Sequence, residues 1–156
     1  MARERTLDHP RVIAPPPLIF LLPFLAGWLL HRRPLQPLPR RASRIAAAFL
    51  LPFGMALSLW AVFTFERAHT PVEPYRLVRR LVTWGPYRYS RNPIYASMTI
   101  LYLGATALVD SLWPLVLLPL ALVVVSRGVI AREEQYLERR FGDEYRTYAR
   151  HVRRWL

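Results

Sequence analysis

Gly85-Pro86-Tyr87-Arg88-Tyr89-Ser90-Arg91-Asn92-Pro93-Ile94-Tyr95 stands between a basic loop and a long apolar run. Pro86 and Pro93 fix their own φ and are expected to press Gly85 and Asn92 toward extended conformations. The stretch carries three tyrosines and two arginines, so it reads as a rigid segment holding aromatic rings and guanidinium forks at the edge of a membrane segment. On residue types alone this is an interfacial anchor. The residues on either side extend that reading.

Downstream, residues 94–109 and 112–125 are apolar and joined only by Asp110-Ser111. So short a link demands an antiparallel helical hairpin, with Asp110 or Ser111 suited to cap the second arm. The second arm is expected to continue as helix into Glu138. Upstream, residues 45–65 form 21 positions without a charge, which matches the roughly 20 that a spanning helix needs. Pro52 is expected to kink it. Residues 15–30 form a shorter run with Pro23 inside, and lack a small-residue cleavage site, so they read as a retained membrane segment. The expected fold is therefore all-α. It is a polytopic membrane protein forming one domain over residues 1–156, with about four membrane helices including a C-terminal hairpin, followed by cytoplasmic amphipathic helices.

Composition agrees. Of the 156 residues 53% are hydrophobic, yet the net charge is +12, a combination that basic loops between membrane helices explain and a soluble domain rarely shows. The arginines lie between apolar runs rather than on one polar face, which argues against nucleic acid as a partner. Three arginines precede the first run, six lie in residues 66–93 and eight in the tail, against five in residues 31–44. With four crossings the first three groups share a side, and the positive-inside rule makes that side the cytoplasm. The protein is thus expected in the inner, cytoplasmic membrane with its active site facing the cytoplasm. All 22 basic residues are Arg, so no lysine is available for a Schiff base or a phosphate loop; there is no cysteine for disulfides, thiolate nucleophiles or thiolate-bound metal.

The tail reads as two helices. Residues 128–140 set Val129, Ile130, Tyr136 and Leu137 on one face, Gly142 ends that helix in a left-handed conformation, and Asp143 is expected to cap a second helix carrying Tyr145, Tyr148 and Val152. Ten acids serve the whole chain, and five lie between Glu133 and Glu144. Adjacent glutamates on a helix diverge by about 100°. One of the Glu133-Glu134 pair can therefore face a membrane pocket while the other faces the tail. A folded hairpin brings Arg91 and both glutamates to one membrane face, beside an apolar cavity suited to a polar cofactor and a lipid-like substrate. His9, His31, His69 and His151 have no metal-like spacing, and no metal site is expected. The five tryptophans suit membrane boundaries or packing.

Arg91-Asn92-Pro93-Ile94-Tyr95, a helical hairpin, Glu133-Glu134-Gln135-Tyr136-Leu137 and then Phe141-Gly142-Asp143-Glu144-Tyr145-Arg146-Thr147-Tyr148 together resemble the integral-membrane methyltransferases. That group includes isoprenylcysteine carboxyl methyltransferase and the phospholipid N-methyltransferases. The approach Thr70-Pro71-Val72-Glu73-Pro74 is also typical of bacterial members. The resemblance covers about residues 70–155. It implies S-adenosyl-L-methionine as methyl donor, and a lipid-like or amphipathic small-molecule substrate arriving from the membrane lipid. It further implies catalytic roles for Arg91, Glu134 and Glu133, and a cofactor pocket shaped by Tyr89, Asn92, Pro93, Tyr95, Glu133, Leu137, Tyr145 and Tyr148. Two positions depart from the pattern: Asn92 where His is commoner, and Ser97 where Gly is frequent. The six glycines are scattered, so the glycine-rich strand–turn–helix of soluble methyltransferases and dehydrogenases is not available. Two other readings compete: a membrane reductase of the sterol-reductase type using NADPH, and a non-catalytic membrane scaffold.

Overall fold

The apolar runs of this chain form helices, the arrangement that satisfies a segment's backbone hydrogen bonds internally, as a crossing of lipid requires. The computed structural model describes residues 13–30, 39–71 and 78–155. The helices are α1 (Pro16–Leu30), α2 (Arg40–Arg67), α3 (Pro93–Leu108), α4 (Leu112–Val125), α5 (Ala131–Phe141) and α6 (Asp143–His151). A 3-10 turn spans Gly85–Arg88, and a π-helical turn, Ser126–Ile130, joins α4 to α5 without a break. No strand occurs among the described residues. Residues 1–12, with His9, residues 31–38, with His31-Arg32-Arg33, and Val72-Glu73-Pro74 lie outside the described residues.

Two helices are long and apolar enough to cross a membrane: α2, of 28 residues, and the continuous Leu112–Phe141 helix, of 30. At about 1.5 Å per residue, α2 is about 42 Å long, well beyond a hydrocarbon core of about 30 Å. It begins earlier than the apolar run alone suggests, because Arg40, Arg41 and Arg44 form its first turns instead of a loop. Pro52 lies inside it, and the helix continues through. The 15-residue α1 and 16-residue α3 are apolar but shorter.

The helices pair antiparallel. Gly54 of α2 faces Leu101 and Ile100 of α3, while Gly104 faces Leu51 and Leu50. Gly27 of α1 meets the backbone of Trp113 and Pro114, while Gly128 meets Ile13. The start of α1, the end of α2, the start of α3 and the whole α5–α6 tail therefore gather at one end of the bundle. Small residues line the contacts, as expected where lipid tails compete equally for large apolar side chains and close backbone approach supplies the attraction. Ala47, Gly54, Ala61 and Ala96 are buried, whereas Phe49 and Phe53 on α2 are 73% and 60% exposed. The main cluster joins Ile19 and Phe20 of α1, Tyr95 and Tyr102 of α3, Leu118, Ala121 and Val125 of α4, and Val129 and Ile130. The Tyr102 hydroxyl donates to the Pro114 carbonyl at 2.7 Å, tying the hairpin arms together.

Three local expectations are corrected. Gly85 is not extended but has φ +64°, because it closes against Thr64, whose Oγ1 would lie 2.8 Å from any added Cβ. Asp143 does not cap α6. Gly142 holds that position with φ 55°, and the Asp143 carboxylate instead accepts from Arg146 Nε at 3.1 Å and Nη2 at 2.9 Å. At the hairpin Ser111 is the N-cap residue by position, but its side chain makes no capping bond, and Asp110 adopts φ 50°.

A Cβ at Gly27 would lie 2.5 Å from the Pro114 backbone nitrogen, an atom that cannot rotate away, whereas one at Gly54 would meet only the side chains of Leu101 and Ile100. Gly27→Ala is therefore expected to destabilise the protein by about 1–3 kcal/mol. Gly54→Ala is expected to cost distinctly less. Thermal melts of both variants in one detergent measure the difference.

Candidate functional site

The gathered end of the bundle holds a cavity of about 880 Å³ of empty space, counting its open mouth. Phe65, Val82, Ile94 and Leu137 give it apolar walls, and Arg91, Glu133, Glu134 and five tyrosines supply the polar groups.

Arg91 sits just before α3, where the Asn92-Pro93 pair starts the helix. Its Nη1 lies 2.9 Å from Glu134 Oε1 and donates to the Tyr145 hydroxyl at 3.4 Å. The pair is mostly withdrawn from water, at 17% and 14% side-chain exposure, so neither charge is tolerable there without the other. Glu133 turns the other way and accepts from the Tyr95 hydroxyl at 2.7 Å. The two carboxylates thus diverge, one into the membrane helices and one toward the tail. The π turn helps to aim them: one extra residue in a turn rotates the downstream helix by about 100° relative to an unbroken α-helix. Gly128 allows that turn to press against Ile13, where a Cβ has no room.

The C-terminal segment completes the site. Arg154 places its Nε 3.1 Å from Glu134 Oε1 and its Nη2 against Oε2. Its carbonyl accepts from the Asn92 side-chain amide at 2.9 Å, and the Arg153 carbonyl accepts from the Arg91 N–H at 2.9 Å. The Tyr148 hydroxyl donates to the Tyr87 carbonyl at 2.7 Å, fixing the 3-10 turn to α6.

Of the residues singled out from sequence, Arg91, Asn92, Pro93, Tyr95, Glu133, Glu134, Leu137, Tyr145 and Tyr148 all line the cavity. Tyr89 does not: it is 64% exposed and lies outside the lining. Ser97 is buried and donates to the Ile94 carbonyl at 2.7 Å. Tyr87 and Tyr136, quoted above only within longer stretches, and Arg154 were not singled out as site residues. Arg154 is one of eight tail arginines with nothing local to distinguish it, and the two tyrosines matter only through folding. Among the described residues, two buried polar atoms at the cavity lack any partner: the Tyr87 hydroxyl and Arg91 Nε. Buried polar groups are nearly always hydrogen-bonded, so these two are unsatisfied donors among the cavity-lining residues.

Burial raises the phenols of Tyr87, Tyr145 and Tyr148 above their ordinary range, so they remain protonated donors at physiological pH. Glu133 lies in α5, beyond the apolar stretch of its helix. Burial pushes its carboxyl up to about 7, with Glu134 adding to the rise and the Tyr95 hydrogen bond opposing it. The folded state therefore holds this proton more tightly than the unfolded chain. The carboxyl costs no stability when protonated, and its contribution is lost as pH rises from the unfolded value through about 7. Glu133→Gln removes that dependence. The stability of wild type minus that of the variant is expected to fall between pH 5 and 8, about the range that the two protonation limits set. Chemical denaturation at both pH values checks the sign.

A family model described as phospholipid methyltransferase matches residues 42–144, more than half of the chain. An uncharacterized protein of Haemophilus influenzae is 60% identical over 35 residues, 22% of this chain and 56% of that protein, so the chain spans only about half of that relative's length. No solved structure matches. The matched region contains every cavity residue named above from Phe65 to Leu137, and it favours neither a reductase nor a scaffold. The chain belongs to the phospholipid methyltransferase family.

Proposed function

We propose that this protein transfers a methyl group from S-adenosyl-L-methionine to a lipid-like or amphipathic small molecule that enters the cavity from the bilayer. One observation carries the reading. Arg91 and the adjacent pair Glu133-Glu134, far from it in sequence, converge on an apolar cavity at the end of membrane-type helices, in a member of a methyltransferase family.

The cavity's chemistry fits the donor molecule. The unpartnered Arg91 Nε suits a carboxylate, since guanidinium binds that group through paired donors. Glu134 or Glu133 suits an ammonium or ribose hydroxyls, and the Tyr87 hydroxyl suits a further polar atom. Pro93, Tyr95, Leu137, Tyr145 and Tyr148 form walls, and Asn92 supports them through the tail. When bound, the donor supplies an electrophilic methyl group on a sulfonium. The protein's part is alignment and exclusion of water, which for displacement at carbon is the main requirement. For an amine acceptor, Glu133 takes the proton, because a carboxyl pushed to about 7 is close to the poise a base needs near neutral pH. For a carboxylate acceptor, Arg91 orients the nucleophile.

In the same reading α1 and α3 complete four crossings in one domain. The antiparallel pairing supports this, since it alternates helix direction along the chain. The arginine-rich end, with α5, α6 and the cavity, faces the cytoplasm.

Binding of S-adenosylhomocysteine to the detergent-purified protein tests the proposal, with NADPH as the control ligand. Arg91→Ala and Glu134→Ala should each weaken binding by about 100-fold, the size of breaking a buried charge pair at one partner. Saturable NADPH binding without any S-adenosylhomocysteine binding would overturn the proposal.

A further inference from the structure

Glu134 is shared by two guanidiniums. Arg91 reaches it from the start of α3 and Arg154 from the C-terminal segment. Arg154 engages both carboxylate oxygens, while Arg91, a cavity-lining residue, offers Glu134 only Nη1 and keeps a buried Nε without a partner. We infer that Arg154 is a positioning residue: it anchors the Glu134 carboxylate on the tail side, and so stops it from turning onto Arg91 and occupying the fork that an anionic ligand group needs.

The geometry supports this beyond a surface ion pair. The segment carrying Arg154 is held from both sides. The Arg153 carbonyl takes the Arg91 N–H at 2.9 Å, and the Arg154 carbonyl takes the Asn92 amide at 2.9 Å and the Ser90 hydroxyl at 3.4 Å. Trp155, next in the chain, packs on the main apolar cluster. The backbone of Arg154 is therefore fixed to the same short stretch that sets the position of Arg91, and its side chain returns to the partner of Arg91. This closed loop makes Asn92 a support for the tail. Charge points the same way. Arg91 and Arg154 share the Glu134 carboxylate, so Arg91 is not fully neutralised by it and favours an anionic group beside it. Without Arg154 the pair is neutral, and a carboxylate free to rotate completes a bidentate pair with Arg91.

The inference rests on the proposed donor only for its probe, S-adenosylhomocysteine, which carries a carboxylate. The test is a double-mutant cycle on the full chain in lipid nanodiscs, reading both the dissociation constant for S-adenosylhomocysteine and the ligand-free melting temperature. Arg154→Ala should weaken binding about tenfold, the size of a lost charge-assisted hydrogen bond. Arg154→Lys, which keeps the charge but not the fork, should recover part of the loss. Glu134→Gln keeps the side chain's shape and leaves no charge to turn onto Arg91. In that background Arg154→Ala should change affinity by less than about twofold. Equal losses in both backgrounds would mean that the tail is only a general prop, and wild-type affinity in Arg154→Ala would also overturn the inference. Should the wild type bind no S-adenosylhomocysteine, the proposed donor falls, and the melting cycle alone judges the triad. Non-additive shifts then uphold the Glu134–Arg154 coupling on which the inference depends, and additive shifts sink it.

Discussion

A guanidinium and a carboxylate withdrawn from water at the end of an apolar bundle cannot stand singly, since desolvating one unpaired charge costs several kcal/mol. The contact between Arg91 and Glu134 answers that constraint, and much of the architecture depends on it. Arg91 must enter α3 at the level where α5 leaves the apolar layer, which the α3–α4 hairpin achieves. The π turn adjusts the rotation of α5, and Gly128 gives that turn room beside α1. The tail then folds back so that its carbonyls accept from Arg91 and Asn92 and its guanidinium covers the outer side of Glu134.

The bundle below this site is built by a different force. Its helices approach one another closely at glycine and alanine, while Phe49 and Phe53 of α2 face outward. In water that distribution would be unstable. In lipid it is favourable, because tails solvate Phe49 and Phe53 as well as a protein core would, while close backbone approach at Gly27, Gly54 and Gly104 gains dispersion contacts that lipid cannot supply. The site is thus polar chemistry mounted on a scaffold without polar demands of its own. That division suits the proposed reaction, in which a charged donor meets an apolar acceptor.

Glu133 and Glu134 show how two neighbouring identical residues acquire different chemistry. Glu134 is held between two arginines and ties the tail to α3. Glu133 has a phenol as partner and makes no ion pair among the described residues, and burial raises its proton affinity. A difference of one residue in helical position separates an orienting group from a titrating one, as pairs of carboxyls in unlike surroundings do elsewhere.

Legibility divided along physical lines. Helix formation in apolar runs, the hairpin forced by Asp110-Ser111, the two amphipathic tail helices and the positive φ of Gly142 depend on interactions within a few residues, and the chain's order of residues was enough to find them. Arg91, Glu133 and Glu134 stood out because charged residues at an apolar boundary are rare and costly. Where local rules met a neighbour from elsewhere, they failed. Thr64, from the end of α2, pressed Gly85 into a left-handed turn. Arg154 lies 20 residues from Glu134, and Tyr148 lies 61 from its partner Tyr87. No periodicity connects such pairs, because they meet only after the hairpin has closed and the tail has crossed back. Composition and spacing decided the elements and the kinds of chemistry available. Which oxygen meets which guanidinium, and which phenol is left without a partner, was decided by packing, since those contacts depend on distances that only the assembled bundle sets.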